Sequence, residues 1–246
     1  MNSTRRQFLQ QCGAVSLGFA GLQTLFVNTA NALPDVSRGI GGYGPLIRDP
    51  RGLLDLANGF SYSVFSIAGQ EMNDGFEVPI KADGMAAFPG PDGKTILVRN
   101  HEVDSDVASG GPFGRGNELL EDIDPAKLYD AGHGSSPVLG GTTTVVFNTK
   151  TQSKEFEYLS LAGTVRNCAG GPTPWNSWIT CEETVERAGD QWEKDHGYNF
   201  EVPALYRGGI ADPVPLVAMG RFNHEAVAVD PVSGVVYQTE DRDNGV

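Results

Sequence analysis

The stretch Gly141-Thr142-Thr143-Thr144-Val145-Val146-Phe147-Asn148, then Thr149-Lys150-Thr151, then Lys154-Glu155-Phe156-Glu157-Tyr158-Leu159-Ser160-Leu161 decides the fold class. Two runs rich in β-branched and aromatic residues flank a short polar turn, the signature of an antiparallel hairpin. The pattern repeats outward. Runs of strand character occupy 61–67, 95–99, 177–183, 196–202, 214–219, 226–230 and 235–239, punctuated by turns such as Pro91-Asp92-Gly93 and Pro231-Val232-Ser233-Gly234. Only Asn117 to Ala131 has a helical cast. The chain therefore reads as all-β. Strand, turn, strand and a longer polar loop recur at about 40 residues, the spacing of four-stranded propeller blades, with a β-sandwich as the alternative.

The 246 residues hold 31 Asp and Glu against 18 Lys and Arg, a net charge of -13. That balance excludes nucleic acid as a partner, because phosphate-backbone affinity comes from clustered cations. The 32 glycines and 15 prolines imply many turns and disfavour a helical bundle. The excess carboxylate fits either a solvated surface or the binding of hard cations, and composition does not choose between them.

Residues 1–32 form a separate segment. Arg5-Arg6 precedes a modest apolar run from Gly13 to Val27, and Ala30-Asn31-Ala32 supplies a small-residue cleavage site. This order matches a twin-arginine export signal, with the mature chain starting at Leu33 and the translocase as a transient partner. Gly18, Gly21, Gln23 and Thr24 interrupt the run, so it gives no stable membrane anchor. A monomer in the periplasm or outside the cell is expected. Removing the segment deletes Arg5 and Arg6 and no acid, which takes the net charge from -13 to -15. It leaves Cys168 and Cys181 in a compartment that permits disulfides. A bridge across these 13 positions is feasible, at about 3 kcal/mol. Alternatively, strand alternation buries Cys181 as a small apolar residue and leaves Cys168 a free thiolate.

Five segments concentrate chemistry at strand ends: Arg99-Asn100-His101-Glu102, Arg166-Asn167-Cys168-Ala169-Gly170-Gly171, Thr180-Cys181-Glu182-Glu183-Thr184, Asn223-His224-Glu225 and Thr239-Glu240-Asp241. A radial arrangement of sheets brings them to one mouth. Carboxylates suit calcium, whereas thiolate and imidazole suit iron or zinc, so a mixed set points to more than one metal. His133 and His196 sit in Gly-rich or polar surroundings and are expected to be surface or structural residues without acidic company, and Trp175 and Trp178 read as core or channel packing.

With Asp83-Gly84-Met85, Gly140-Gly141-Thr142-Thr143-Thr144 and Thr173-Pro174-Trp175, these motifs give a chain that resembles the PhoX family of secreted alkaline phosphatases from about Gly44 to its last residue. The resemblance implies a six-bladed β-propeller, iron (Fe3+) and calcium at the channel mouth, and hydrolysis of phosphate monoesters. It implies Cys168 as the iron ligand, Glu225 beside it as a second catalytic metal ligand, and Glu182, Glu183, Glu240, Asp241 and Glu102 as further metal carboxylates. Arg99, Arg166 and Asn100 are then the substrate-binding candidates, with salt bridges to neighbouring carboxylates as the other reading of the arginines. Residues 33–246, at about 40 to 45 per blade, amount to four or five blades, so the propeller domain is expected to be incomplete at its C-terminus. A calcium-dependent propeller lactonase or esterase, and a non-catalytic calcium-binding propeller, are the competing functions; neither requires a thiolate.

Overall fold

The computed structural model describes residues 43–104, 107–134 and 136–245. Residues 1–32, expected to be an export signal, and the expected start of the mature chain at Leu33 lie outside them. Two compact units divide at Ser63 and Val64. In the first, β1 (Leu46–Ile47) and β2 (Leu56–Ala57) pair as a minimal antiparallel hairpin. The Asp49 carboxylate organises its turn by accepting from the amides of Arg51, Leu53 and Leu54.

Among its described residues, the second unit has nine strands in three antiparallel sheets. A four-stranded sheet runs in the order β3 (Ala82–Pro89), β4 (Lys94–His101), β5 (Gly140–Asn148) and β6 (Ser153–Thr164). A three-stranded sheet follows from β7 (Asn167–Pro172), β8 (Ser177–Glu182) and β9 (Asn199–Pro203), and then a hairpin of β10 (His224–Val229) and β11 (Val236–Glu240). Every connection within a sheet joins sequence neighbours, by short turns at β3–β4, β5–β6, β7–β8 and β10–β11 and by long loops at β4–β5 and β8–β9. The expected all-β class holds. No α-helix, and no closed ring of sheets, occurs among the described residues, and none of their helical turns is long and apolar enough to cross a membrane.

Apolar layers join consecutive sheets. Ile96 and Val98 on β4 and Leu161 on β6 pack with Trp178, Phe200 and Val202 of the next sheet. Cys168, Ile179 and Cys181 of that sheet pack with Val227 of the β10–β11 hairpin. Leu159, two residues from Leu161, belongs instead to the layer with Phe76, Val103 and Phe113. The β5–β6 register shifts between Thr142 and Thr143, opposite Leu161 and Leu159, and the extra residue there reverses which face the strand presents.

Several expected elements are absent or different. Residues 61–67 form no strand. Residues 214–219 give one bridge, Pro215 to Phe200, and a single 3-10 turn, because Pro213 and Pro215 lack the amide donors a ladder needs. The helical cast of 117–131 resolves into two 3-10 turns, Glu118–Asp122 and Pro125–Lys127, the second capped by the Asp124 carboxylate. Conversely, β3 and the glycine-rich β7 are strands that composition conceals.

Candidate metal centre

Cys168 lies on β7, Glu183 immediately follows β8, and Glu225 is the second residue of β10. Antiparallel pairing sets Asn167 opposite Glu182, and β10 packs across β7. That approach is possible because position 171 is glycine: a Cβ there would stand 1.9 Å from the Val227 carbonyl oxygen. On the other side, a Cβ on Gly84 would stand 2.8 Å from the Cys168 carbonyl oxygen, so β3 also closes on this strand. The result is a group in which the Cys168 sulfur and one oxygen each from Glu183 and Glu225 all lie within 4.8 Å of one another. Donors on one transition-metal ion sit about 2.0–2.3 Å from it, hence at most about 4.6 Å apart, so this triplet needs only slight closure to share an ion.

Asn100 anchors the strand that carries the thiol. It is wholly buried; its amide nitrogen donates to the carbonyls of Cys168 (3.2 Å) and Ala169 (2.7 Å), and its oxygen accepts from Trp178 Nε1 and Thr180 Oγ1, both at 2.8 Å. With these bonds made, both amide hydrogens and the oxygen of the side chain are engaged by the scaffold. The Cys168 sulfur sits over the main-chain carbonyls of His224 (3.5 Å) and Glu225 (3.7 Å). Cys168 and Cys181 are both free and buried, so the disulfide alternative is not realised.

The electrostatics favour a bound cation. Burial pushes the Cys168 thiol far up, and the charges of Glu225 and Glu183 push it further. Burial likewise raises Glu183, which Arg166 opposes while a hydrogen bond with Asp241 and the charges of Glu225 and Glu102 reinforce it, leaving the group at about 7. Glu102 is also raised, by burial first and then by Asp83. Arg166 answers this crowd: it lies 2.7 Å from Glu183, 3.6 Å from Glu102 and 3.3 Å from Asp104. A cation held by sulfur and carboxylate would relieve both the desolvated thiol and the mutual repulsion of the acids.

Placement separates the ten candidates. Cys168, Glu183 and Glu225 converge, with Asp241, Glu102 and Arg166 at their margin. Glu240 lies opposite His224 in register and 3.7 Å from Arg242. Glu182 turns away from Glu183 into the interior, where it meets His196. Arg99 sits on the far face of β4 from Asn100, bonded to Glu157, Thr143 and Ser66, each at 3.0 Å. Neither Glu182 nor Arg99 reaches the triplet in this arrangement.

Other expectations also need correcting. His196 is not a residue without acidic company: it is completely buried, 2.7 Å from Glu182 and 3.3 Å from Asp130. That partnership spans 66 positions, and no local signal announces it. Trp178 is core, but Trp175 is 56% exposed, with its indole donating to Glu201. Asp104, which helps to hold Arg166, lies two residues beyond the Arg99–Glu102 motif, and no pattern in the motif points to it.

Comparison with protein-family models finds that the one described as alkaline phosphatase PhoX matches residues 41–148 and 133–246. No curated protein and no solved structure matches the chain.

Proposed function

The chain belongs to the alkaline phosphatase PhoX family, and from that premise we propose that it hydrolyses phosphate monoesters at a metal centre held by Cys168, Glu183 and Glu225. The observation that carries the reading is the convergence of a thiol and two carboxylates from three separate segments in a family with phosphatase chemistry. The donor set fits iron at the sulfur and calcium at the carboxylate margin of Glu102 and Asp241. The metals would supply positive charge against the phosphoryl oxygens and an activated oxygen nucleophile.

The chain's own residues do the rest. Asn100 and the close approach at Gly84 and Gly171 fix the main chain around Cys168, so the thiolate is presented without reorganisation. Arg166 is held among Glu183, Glu102 and Asp104, about a third exposed, with its guanidinium at the margin of the triplet. Cations bound to those carboxylates would weaken their hold on it and leave its donors for the substrate phosphate, which a guanidinium grips bidentately. A calcium-only lactonase or esterase has no use for the buried thiol, which favours the phosphatase.

In the same reading, the sheets of 64–246 are successive blades of a six-bladed propeller. Residues 1–32 direct twin-arginine export, and the mature monomer works in the periplasm or outside the cell. The test is hydrolysis of p-nitrophenyl phosphate by the purified protein, with metal analysis, beside Cys168→Ala. The expected result is iron in the wild type and loss of both iron and turnover in the variant. Undiminished hydrolysis by Cys168→Ala refutes the assignment.

A further inference from the structure

The buried cluster of Glu182, His196 and Asp130 touches none of the three donors, yet it is bonded to the segment that carries each of them. The Glu182 carboxylate accepts from the amide of Val165 at 3.0 Å, three residues before Cys168. Its other oxygen accepts from the amides of Gly197 (2.8 Å) and Tyr198 (3.2 Å). Glu182 itself adjoins Glu183, whose amide donates to the Arg166 carbonyl at 3.0 Å. The His196 carbonyl accepts from Arg221 Nη1 at 2.7 Å, and the Gly197 carbonyl accepts from the Phe222 amide at 3.2 Å, four and three residues ahead of Glu225 respectively. Asp130 closes the far side, accepting from the amides of Gly132 and Lys194 as well as facing His196.

We propose that His196 is a positioning residue for the metal centre: through Glu182 and through its own main-chain carbonyl it sets the spacing of Cys168, Glu183 and Glu225. Burying two carboxylates is a costly route to stability, since apolar packing does as well or better. What the cluster adds is direction. Hydrogen bonds of fixed length tie the three segments to one node, and groups behind the ligands are what hold metal donors at their working distances. His196 is gripped at both ring nitrogens and wedged edge-on against Tyr129 and Trp192, so the node itself has little freedom.

This proposal rests on the metal-centre reading above, and the test separates the two. Metal-free full-length protein is titrated with Co2+ alone, following the near-ultraviolet thiolate-to-cobalt band, and the unfolding of each metal-free protein is measured in parallel. His196→Gln should weaken Co2+ binding about 10- to 100-fold. Arg221→Ala, which cuts the strap from the His196 carbonyl to the Glu225 segment together with the arginine's bonds to the Val185 and Glu186 carbonyls and leaves the imidazole and both carboxylates in place, should weaken it by a smaller factor. A role in stability alone would lower the unfolding midpoint and leave the affinity of the folded protein unchanged. Should His196→Gln not fold, Arg221→Ala decides. A wild-type band with variants that bind Co2+ as tightly as wild type overturns the positioning role alone, whereas a wild type without a thiolate band overturns the metal centre and this proposal with it.

Discussion

Replacing Asn100 by alanine separates the two roles open to that residue, substrate contact and scaffold. The substitution strands four groups: the carbonyls of Cys168 and Ala169, the Trp178 indole N–H and the Thr180 hydroxyl. The Thr180 hydroxyl already accepts from Asn167 at 3.0 Å and can turn to a new acceptor, so three groups remain without a partner. At about 1–3 kcal/mol for each buried unsatisfied group, with relaxation trimming the sum, the loss is about 3–6 kcal/mol. That is a large share of the roughly 5–15 kcal/mol that holds a domain folded. Urea unfolding of the metal-free protein, monitored by Trp fluorescence and far-ultraviolet circular dichroism together, reads it directly. Because the stranded carbonyls belong to the strand that carries the thiol, Co2+ affinity should fall in the same variant. A loss below about 1 kcal/mol, with a raised KM toward p-nitrophenyl phosphate, would refute the scaffold argument and return Asn100 to the substrate.

Two further expectations concern charge. Burial pulls His196 down, but the hydrogen bonds and charges of Asp130 and Glu182 outweigh it and raise the imidazole to about 9, against an ordinary 6.5. Its stabilisation is therefore complete below about pH 6.5 and disappears as pH rises through about 9. Glu183, pushed up to about 7 in the metal-free protein, makes its own loss between about pH 4.5 and 7, so the His196 contribution is read above neutrality. The unfolding free energy of metal-free wild type should fall over that interval more steeply than that of His196→Gln, and equal slopes would show that His196 does not carry it. Arg166→Gln should raise KM for p-nitrophenyl phosphate about 10- to 100-fold, the value of a charge-assisted hydrogen bond of about 1.5–3 kcal/mol, with little change in kcat. An unchanged KM would show that the arginine serves only its carboxylate partners.

What the sequence discloses, and what it hides, turns on strand parity. The β5–β6 hairpin and the strands at 94–101, 177–182 and 224–229 are legible because β-branched residues fill them. The strands β3, with its Asp-Gly and Ala-Ala pairs, and β7, with its Ala-Gly-Gly run, are held by close backbone approach, which propensity does not register. The residue types of the centre were also readable, but not which member of each doublet would reach it. Successive strand residues face opposite sides. In β4, Arg99 and His101 therefore share Thr143 as a partner while Asn100 turns to the Cys168 strand. At the end of β8, Glu183 joins the triplet and Glu182 goes to His196. At the start of β10, Glu225 faces the thiol, while His224, whose imidazole burial pushes below its ordinary value, packs on Phe222. A doublet such as Glu182-Glu183 is thus one candidate ligand and one anchor, and the anchor's partner, here His196, lies at a distance in sequence that only the folded chain brings to zero.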